Sequence, residues 1–272
     1  MSDDLFKEEF KRFRSSRGEF AADEVIDFEN VQRFGASQIG VSNMPAPLSA
    51  CNLAAHKLGL LPVDKWKVFT LASAPGLYVI PNPFREGGQH HWVKQCLVTY
   101  PCKPNVCNLD AHVVRTGDGR LWPRELGPSA AEMVVSRGIQ EVSKDVSEVS
   151  KDVSEAEVSK DVSKMPNHSD LLHKLHWVTL GYHYDWTAKV YHMEHRSPFP
   201  EDMAKLSTFI LDVAGFPNFV PEAAIVNYYN LGSTLSGHTD HSEQDLSRPL
   251  LSISFGQSAM FLIGGATKQH AG

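Results

Sequence analysis

Between Ile225 and His241 the chain reads as a strand, a turn rich in Gly and Ser, and a second short strand. Side chains alternate along a strand, so Asn227 and Tyr229 project together, as do His238 and Asp240. This stretch demands a sheet around it and a polar site on one face of that sheet. An imidazole and a carboxylate side by side are two corners of a 2-His-1-carboxylate iron site, in which iron(II) keeps positions open for a chelating co-substrate and dioxygen. His241 is out of phase with Asp240, so His238 is the preferred ligand. The Asn227 amide and the Tyr229 phenol can hydrogen-bond an acidic co-substrate. A His-x-Asp pair alone is a weak signal; the strand before it and the β pattern after it give it weight.

The remainder of the chain can house such a site. Its 272 residues are 42% hydrophobic and 10% aromatic, enough for a real core in one large domain or two small ones. A net charge of −6 argues against bulk electrostatic capture of nucleic acid and leaves room for a local basic groove. Cys51, Cys96, Cys102 and Cys107 contain no CxxC pair, which disfavours structural zinc and predicts reduced thiols in an intracellular protein. No apolar run reaches the length of a membrane span. Met1–Asp4 lacks the order of a signal peptide, and Asp3, Asp4, Glu8 and Glu9 disfavour a transit peptide. A soluble monomer of the nucleus, mitochondrion or cytoplasm is expected, with no membrane partner.

Phe6, Phe10 and Phe13 recur at helical spacing among Lys7, Lys11, Arg12, Arg14 and Arg17, predicting an amphipathic helix over 3–17. The first reading lays its Phe stripe on the domain; a nucleic-acid or membrane contact is the second. An arm with little pattern follows over 18–46. Short strands are predicted at Val68–Leu71 and Gly76–Ile80, and a helix over 87–100 with Trp92, Cys96 and Tyr100 on one side. The heptamer Glu-Val-Ser-Lys-Asp-Val-Ser begins at Glu141, Glu148 and Glu157. Valine is its only apolar side chain, so it can bury little against its ordering entropy, and a solvated insert without catalytic groups is expected. Trp177–Trp186 alternates as a strand, Asp202–Ala214 reads as a helix capped by Gly215, and Pro249–Phe255 with Ala259–Ile263 reads as a hairpin of two buried strands. The expected organisation is an N-terminal helix and arm (1–60), a catalytic domain (61–112 and 170–272) and a low-complexity insert (113–169).

Asn227–Tyr229, His238–Asp240 and Ser254–Gly256 resemble the AlkB-type iron(II)/2-oxoglutarate-dependent dioxygenases, and Pro81–Phe84, His91–Cys96, Lys103–Asp110, Trp177–Tyr184 and Pro249–Ser258 resemble their AlkB homologue 1 branch. The resemblance covers 5–20, 60–112 and 170–265. It implies an α+β fold with a double-stranded β-helix (jelly-roll) core and bracing helices. It implies iron(II) held by His238, Asp240 and a later histidine, and 2-oxoglutarate held by Asn227, Tyr229 and later arginines. The implied activity is oxidative demethylation of nucleic acid bases, methyladenine or methylcytosine in tRNA or DNA. Dioxygen is consumed, 2-oxoglutarate becomes succinate, and formaldehyde leaves. Aromatics at 177–186 suit stacking on a flipped base, and Tyr184, His183 and Trp177 are the expected substrate contacts. The family carries its third ligand and an arginine pair further on, whereas here His270 is the sole histidine after His241 and no arginine follows Arg248. A jelly-roll incomplete at its C-terminus, in an impaired or inactive truncated form, is therefore expected. Two alternatives stand beside it. One is a nucleic-acid-binding or partner-binding module using the N-terminal helix and the aromatic strand. The other is an abasic-site lyase using Lys and Cys between 94 and 107, against which Ala111 stands where a lysine is wanted.

Overall fold

The strand around which the molecule is arranged is β5, Trp177–Asp185. Val178 and Leu180 lie fully inside, where each contributes about 1.5–3 kcal/mol of apolar burial. A computed structural model describes residues 4–14, 25–26, 28, 37–38, 48–72, 74–113, 115, 119–121 and 168–264. Within them the helices are α1 (Leu5–Arg14), α2 (Leu48–Lys57), α3 (Gly88–Lys94), α4 (His168–Lys174) and α5 (Glu201–Val213). The strands other than β5 are β1 (Ser37–Gln38), β2 (Phe69–Leu71), β3 (Ala74–Val79), β4 (Val106–Cys107), β6 (Val190–Arg196) and β7 (Ala223–Asn227).

Two antiparallel sheets result. One runs β1-β2-β3; the other is built on β5, which pairs with β4, β6 and β7. β7 lies along the first half of β5, from Trp177↔Asn227 to Gly181↔Ala223. β4 pairs through Val106↔Thr179 and Cys107↔Val178. β6 pairs with the second half, across a register shift between Tyr182 and Tyr184. Gly181 makes the crossover between these halves possible. It has φ +70°, and a Cβ there would fall 2.0 Å from the Glu222 carbonyl oxygen, so only glycine fits.

The core has two parts. Cys51 and Ala55 of α2, Trp66, Phe84, Trp92, and Leu206 and Ile210 of α5 form the first; Tyr100, Cys107, Leu109, Leu171, Leu175, Val178 and Leu180 form the second. Met203 of α5 packs against both, so α5 braces the two parts together. All four cysteines are free thiols. No helix among the described residues is long and apolar enough to cross a membrane.

Helices, antiparallel sheets and the positions of α1, β2, β3, β5 and α5 agree with the sequence reading, including Gly215 at φ +92° just past α5. Five features differ. The helix read over 87–100 is α3 followed by a π-helical turn over Gln95–Thr99. Helix α2 and strand β6 had no counterpart in the sequence reading. The predicted hairpin of 249–263 and the second short strand at His238–His241 carry no strand ladder. Period-2 alternation survives in part: Leu251, Ile253 and Phe255 pack on the first core cluster while Leu250 is 72% exposed. Alternation aims side chains, but a strand also needs a neighbour that accepts its N–H and C=O groups. The heptamer repeats of 141–163, and most of the 18–46 arm, lie outside the described residues.

Candidate metal and substrate site

The polypeptide leaves the sheet at the end of β7. Tyr228 still behaves as strand: its amide donates to the His176 carbonyl at 2.9 Å, and its hydroxyl donates to the Cys96 carbonyl. Burial, aided by the Cys96, Cys107 and Tyr100 neighbours, pushes the Tyr228 phenol well up. It serves as a buried anchor. Asn230 fixes the next step, donating from Nδ2 to the His173 carbonyl at 2.9 Å beside α4. Gly232, at φ +78°, then turns the chain outward.

His238 and Asp240 meet on this irregular segment. Nε2 of His238 lies 3.6 Å from Oδ1 of Asp240, and both side chains are about half exposed (54% and 48%). His238 Nδ1 lies 2.9 Å from the Ser236 carbonyl. A carbonyl only accepts, so Nδ1 carries a proton, and Nε2 is the nitrogen that faces Asp240. That is the arrangement a ligating histidine adopts, its second nitrogen held by a carbonyl. His241 is likewise tied through Nδ1, 2.7 Å from the Thr239 carbonyl, but among the described contacts its ring does not meet Asp240. The donor chemistry therefore fits two positions of an iron(II) centre. No group of three His, Cys, Asp or Glu side chains able to hold a metal ion occurs among the described residues.

An aromatic platform adjoins this pair. Tyr184 rings meet Trp186 at 4.9 Å and Tyr191 at 5.0 Å, and Trp186 meets Trp177 at 5.3 Å. The Tyr184 hydroxyl lies 3.2 Å from Ser242 Oγ, which donates to the Lys189 carbonyl at 3.0 Å. Ser242 thus pins the segment that follows Asp240 to the β5–β6 hairpin. Tyr191 is raised to about 12, by burial first and then by the negative charges of Glu243 and Asp240. Trp186 remains 46% exposed, so the platform has a face open to a planar ligand.

The other residues picked from the sequence take separate positions. Asn227 stands at the end of β7 opposite Trp177, and Tyr229 is 57% exposed with its phenol raised by partial burial. Among the described residues no hydrogen bond joins either to His238 or Asp240. His183 turns toward β4: its Nδ1 lies 2.8 Å from Thr179 Oγ1, which donates to the Val106 carbonyl at 3.2 Å. Burial, then Lys103 and His195, lower its pKa and favour the neutral ring. The structure thus associates Tyr184 and Trp177 with the aromatic platform and sets His183 apart from it. Tyr191, Ser236 and Ser242 were not among the site residues read from the sequence. Tyr191 stands just after a turn whose Asp185 Oδ1 accepts from the Thr187 and Ala188 amides, both at 2.8 Å. Two cavities, of about 380 and 320 Å³, are lined by none of the candidate residues.

Comparison with known proteins bears on the same region. Residues 132–271 match the family model of the 2OG-Fe(II) oxygenase superfamily. The chain is 42% identical over 274 residues to a Mus musculus protein named nucleic acid dioxygenase ALKBH1, covering 99% of this chain and 63% of that one. It is 33% identical to the Arabidopsis thaliana DNA N(6)-methyladenine demethylase ALKBH1A, over 76% of this chain and 58% of that one. It is 32% identical to the Schizosaccharomyces pombe tRNA demethylase abh1, over 76% of this chain and 62% of that one. The chain therefore spans less than two thirds of the length of these relatives.

Proposed function

Because the chain belongs to the 2OG-Fe(II) oxygenase superfamily, and within it to the AlkB type, we propose that His238 and Asp240 are two of the protein ligands of an iron(II) centre that demethylates nucleic acid bases. The observation that carries this is the 3.6 Å approach of His238 Nε2 to Asp240 Oδ1, with Nδ1 held by the Ser236 carbonyl. When bound, iron and 2-oxoglutarate would supply the oxidation of a methyl group. The chain's own residues prepare that chemistry. Ser236 fixes the tautomer of His238. Asn227 and Tyr229 offer an amide and a phenol to the 2-oxoglutarate carboxylates. Trp177, Tyr184, Trp186 and Tyr191 offer rings on which an extruded base can stack, beside Asp240 through Ser242. The two antiparallel sheets are assigned to a jelly-roll, with α5 as a bracing helix. A methylated base in tRNA or DNA is the proposed substrate class, from the activities named for the relatives.

The test is succinate release from 2-oxoglutarate with iron(II) and a methylated oligonucleotide, in wild type and His238→Ala. Release above the no-enzyme level in wild type, lost in His238→Ala, is expected. Release that is equal in wild type and His238→Ala would refute the ligand assignment.

A nucleic-acid-binding role without turnover is favoured by the exposed Trp186 ring and by Lys7, Lys11, Arg12 and Arg14 on α1. Salt-dependent tRNA binding that survives Asp240→Ala would support it. The lyase alternative loses ground. Lys103 Nζ donates to Asp110 Oδ2 at 3.0 Å, whereas an imine-forming lysine needs a free amine. Burial, chiefly, raises the Cys107 thiol above its ordinary value, which disfavours the thiolate.

A further inference from the structure

We propose that Phe6 of α1 is a positioning residue for the His238–Asp240 turn, and that residue 237 is glycine in order to admit its ring. The inference rests on the reading of His238 and Asp240 as metal ligands. A Cβ built on Gly237 would lie 2.1 Å from Cε1, 2.9 Å from Cδ1 and 3.0 Å from Cζ of Phe6. All three atoms belong to one edge of the ring, so the ring lies against the Gly237 Cα with no space between. The backbone does not require glycine here. Gly237 is not among the residues with positive φ, so an alanine would meet no conformational strain. The ring is the obstacle.

The surroundings explain why this contact matters. The turn is fastened on one side by Asn230 to the chain beside α4 and on the other by Ser242 to the β5–β6 hairpin. Between those points Leu231, Leu235, His238 and Asp240 are all well exposed. Phe6 packs midway between the two fastenings, one residue before the first ligand. Helix α1 has no fully buried residue, so its Phe stripe is committed to a surface contact. Asp4 sets its register by accepting the Lys7 amide at Oδ1, 3.1 Å away, the usual N-terminal cap. The contact thus joins the first turn of the first helix to a site more than two hundred residues later in the sequence.

The test is amide hydrogen exchange by mass spectrometry on the full 272-residue protein, with a cobalt(II) titration alongside. Phe6→Ala is expected to speed exchange of 232–242 about fivefold or more, a modest loss of local stability, with Phe6→Leu in between. Gly237→Ala is expected to speed exchange in both 5–14 and 232–242, because the new methyl evicts the ring. In a Phe6→Ala background, Gly237→Ala should add nothing, since the clash is gone. Unchanged exchange at 232–242 in Phe6→Ala overturns the proposal. So does a Gly237→Ala effect equally large with and without Phe6. The cobalt arm separates the two readings. Absence of His238-dependent binding in wild type refutes the ligand assignment, while the exchange data still decide Phe6. Weaker binding in Phe6→Ala, restored toward wild type by Leu, supports both.

Discussion

Asp110 should be among the most costly polar side chains to remove, and the structure gives the scale. Its Oδ2 accepts from Lys103 Nζ and from the Cys107 amide, each at 3.0 Å, and its Oδ1 accepts from Arg115 Nε at 2.6 Å and also from Nη2. The Arg115 side chain is 9% exposed and that of Asp110 19%. Asp110→Ala leaves a buried guanidinium without its counter-ion, a change that costs about 3–5 kcal/mol in general. Arg115 keeps the Pro101 and Gly119 carbonyls as acceptors, which places the expected loss near the lower end, about 3 kcal/mol. For a chain of this size that is roughly 6–12 °C in Tm. Urea unfolding at pH 7, followed by tryptophan fluorescence, measures it. Burial alone would raise the Asp110 pKa, but the Cys107 amide, Lys103 and Arg115 outweigh burial and lower it. The stabilisation is therefore fully present above the unfolded-state value of about 3.9 and is lost as pH falls through the lower folded-state value. The wild-type advantage over Asp110→Ala should persist from pH 7 to 5 and shrink in acid. A deficit under about 0.5 kcal/mol at pH 7, or one that grows as pH falls below the unfolded-state value, would refute the reasoning.

Leu180→Ala empties a fully buried position on β5 and should cost about 2–5 kcal/mol in the same urea assay. Gly181→Ala places a methyl on the Glu222 carbonyl at a left-handed backbone position. It should destabilise by about 2 kcal/mol or more and raise amide exchange at Tyr182, whose N–H donates to that carbonyl at 3.0 Å. Trp186→Ala removes an exposed ring of the platform. Single-stranded oligonucleotide binding, read by fluorescence anisotropy, should weaken by the 1–3 kcal/mol typical of one stacked base, roughly 5–150-fold, with the urea midpoint little changed.

What the sequence revealed and what it concealed follow from range. The α5 pattern of Leu206, Phe209, Ile210 and Val213 and the alternation of β5 are local, and both elements formed where their periodicity placed them. The pairing of His238 with Asp240 was legible from their two-residue spacing, although the backbone that brings them together is a turn and not a strand. Period-2 order from 249 to 263 specified which side chains face the core but not whether a ladder would form, because ladders depend on a partner that local sequence does not name. Helix α2 was hidden by its weak amphipathicity, with only Cys51 and Ala55 fully buried. Tyr191, Ser236 and Ser242 reach the site through a hairpin and a carbonyl tie, neither of which has a motif. The Phe6–Gly237 contact depends on shape alone, so neither residue type announces it.

The central claim is that His238 and Asp240, and not His241, hold the metal. Cobalt(II) titration of the anaerobic protein, read by visible absorption, tests it most directly across wild type, His238→Ala, Asp240→Ala and His241→Ala. The account predicts binding in wild type and His241→Ala and its loss in the other two. Binding that survives both His238→Ala and Asp240→Ala, or that is lost only in His241→Ala, would contradict it.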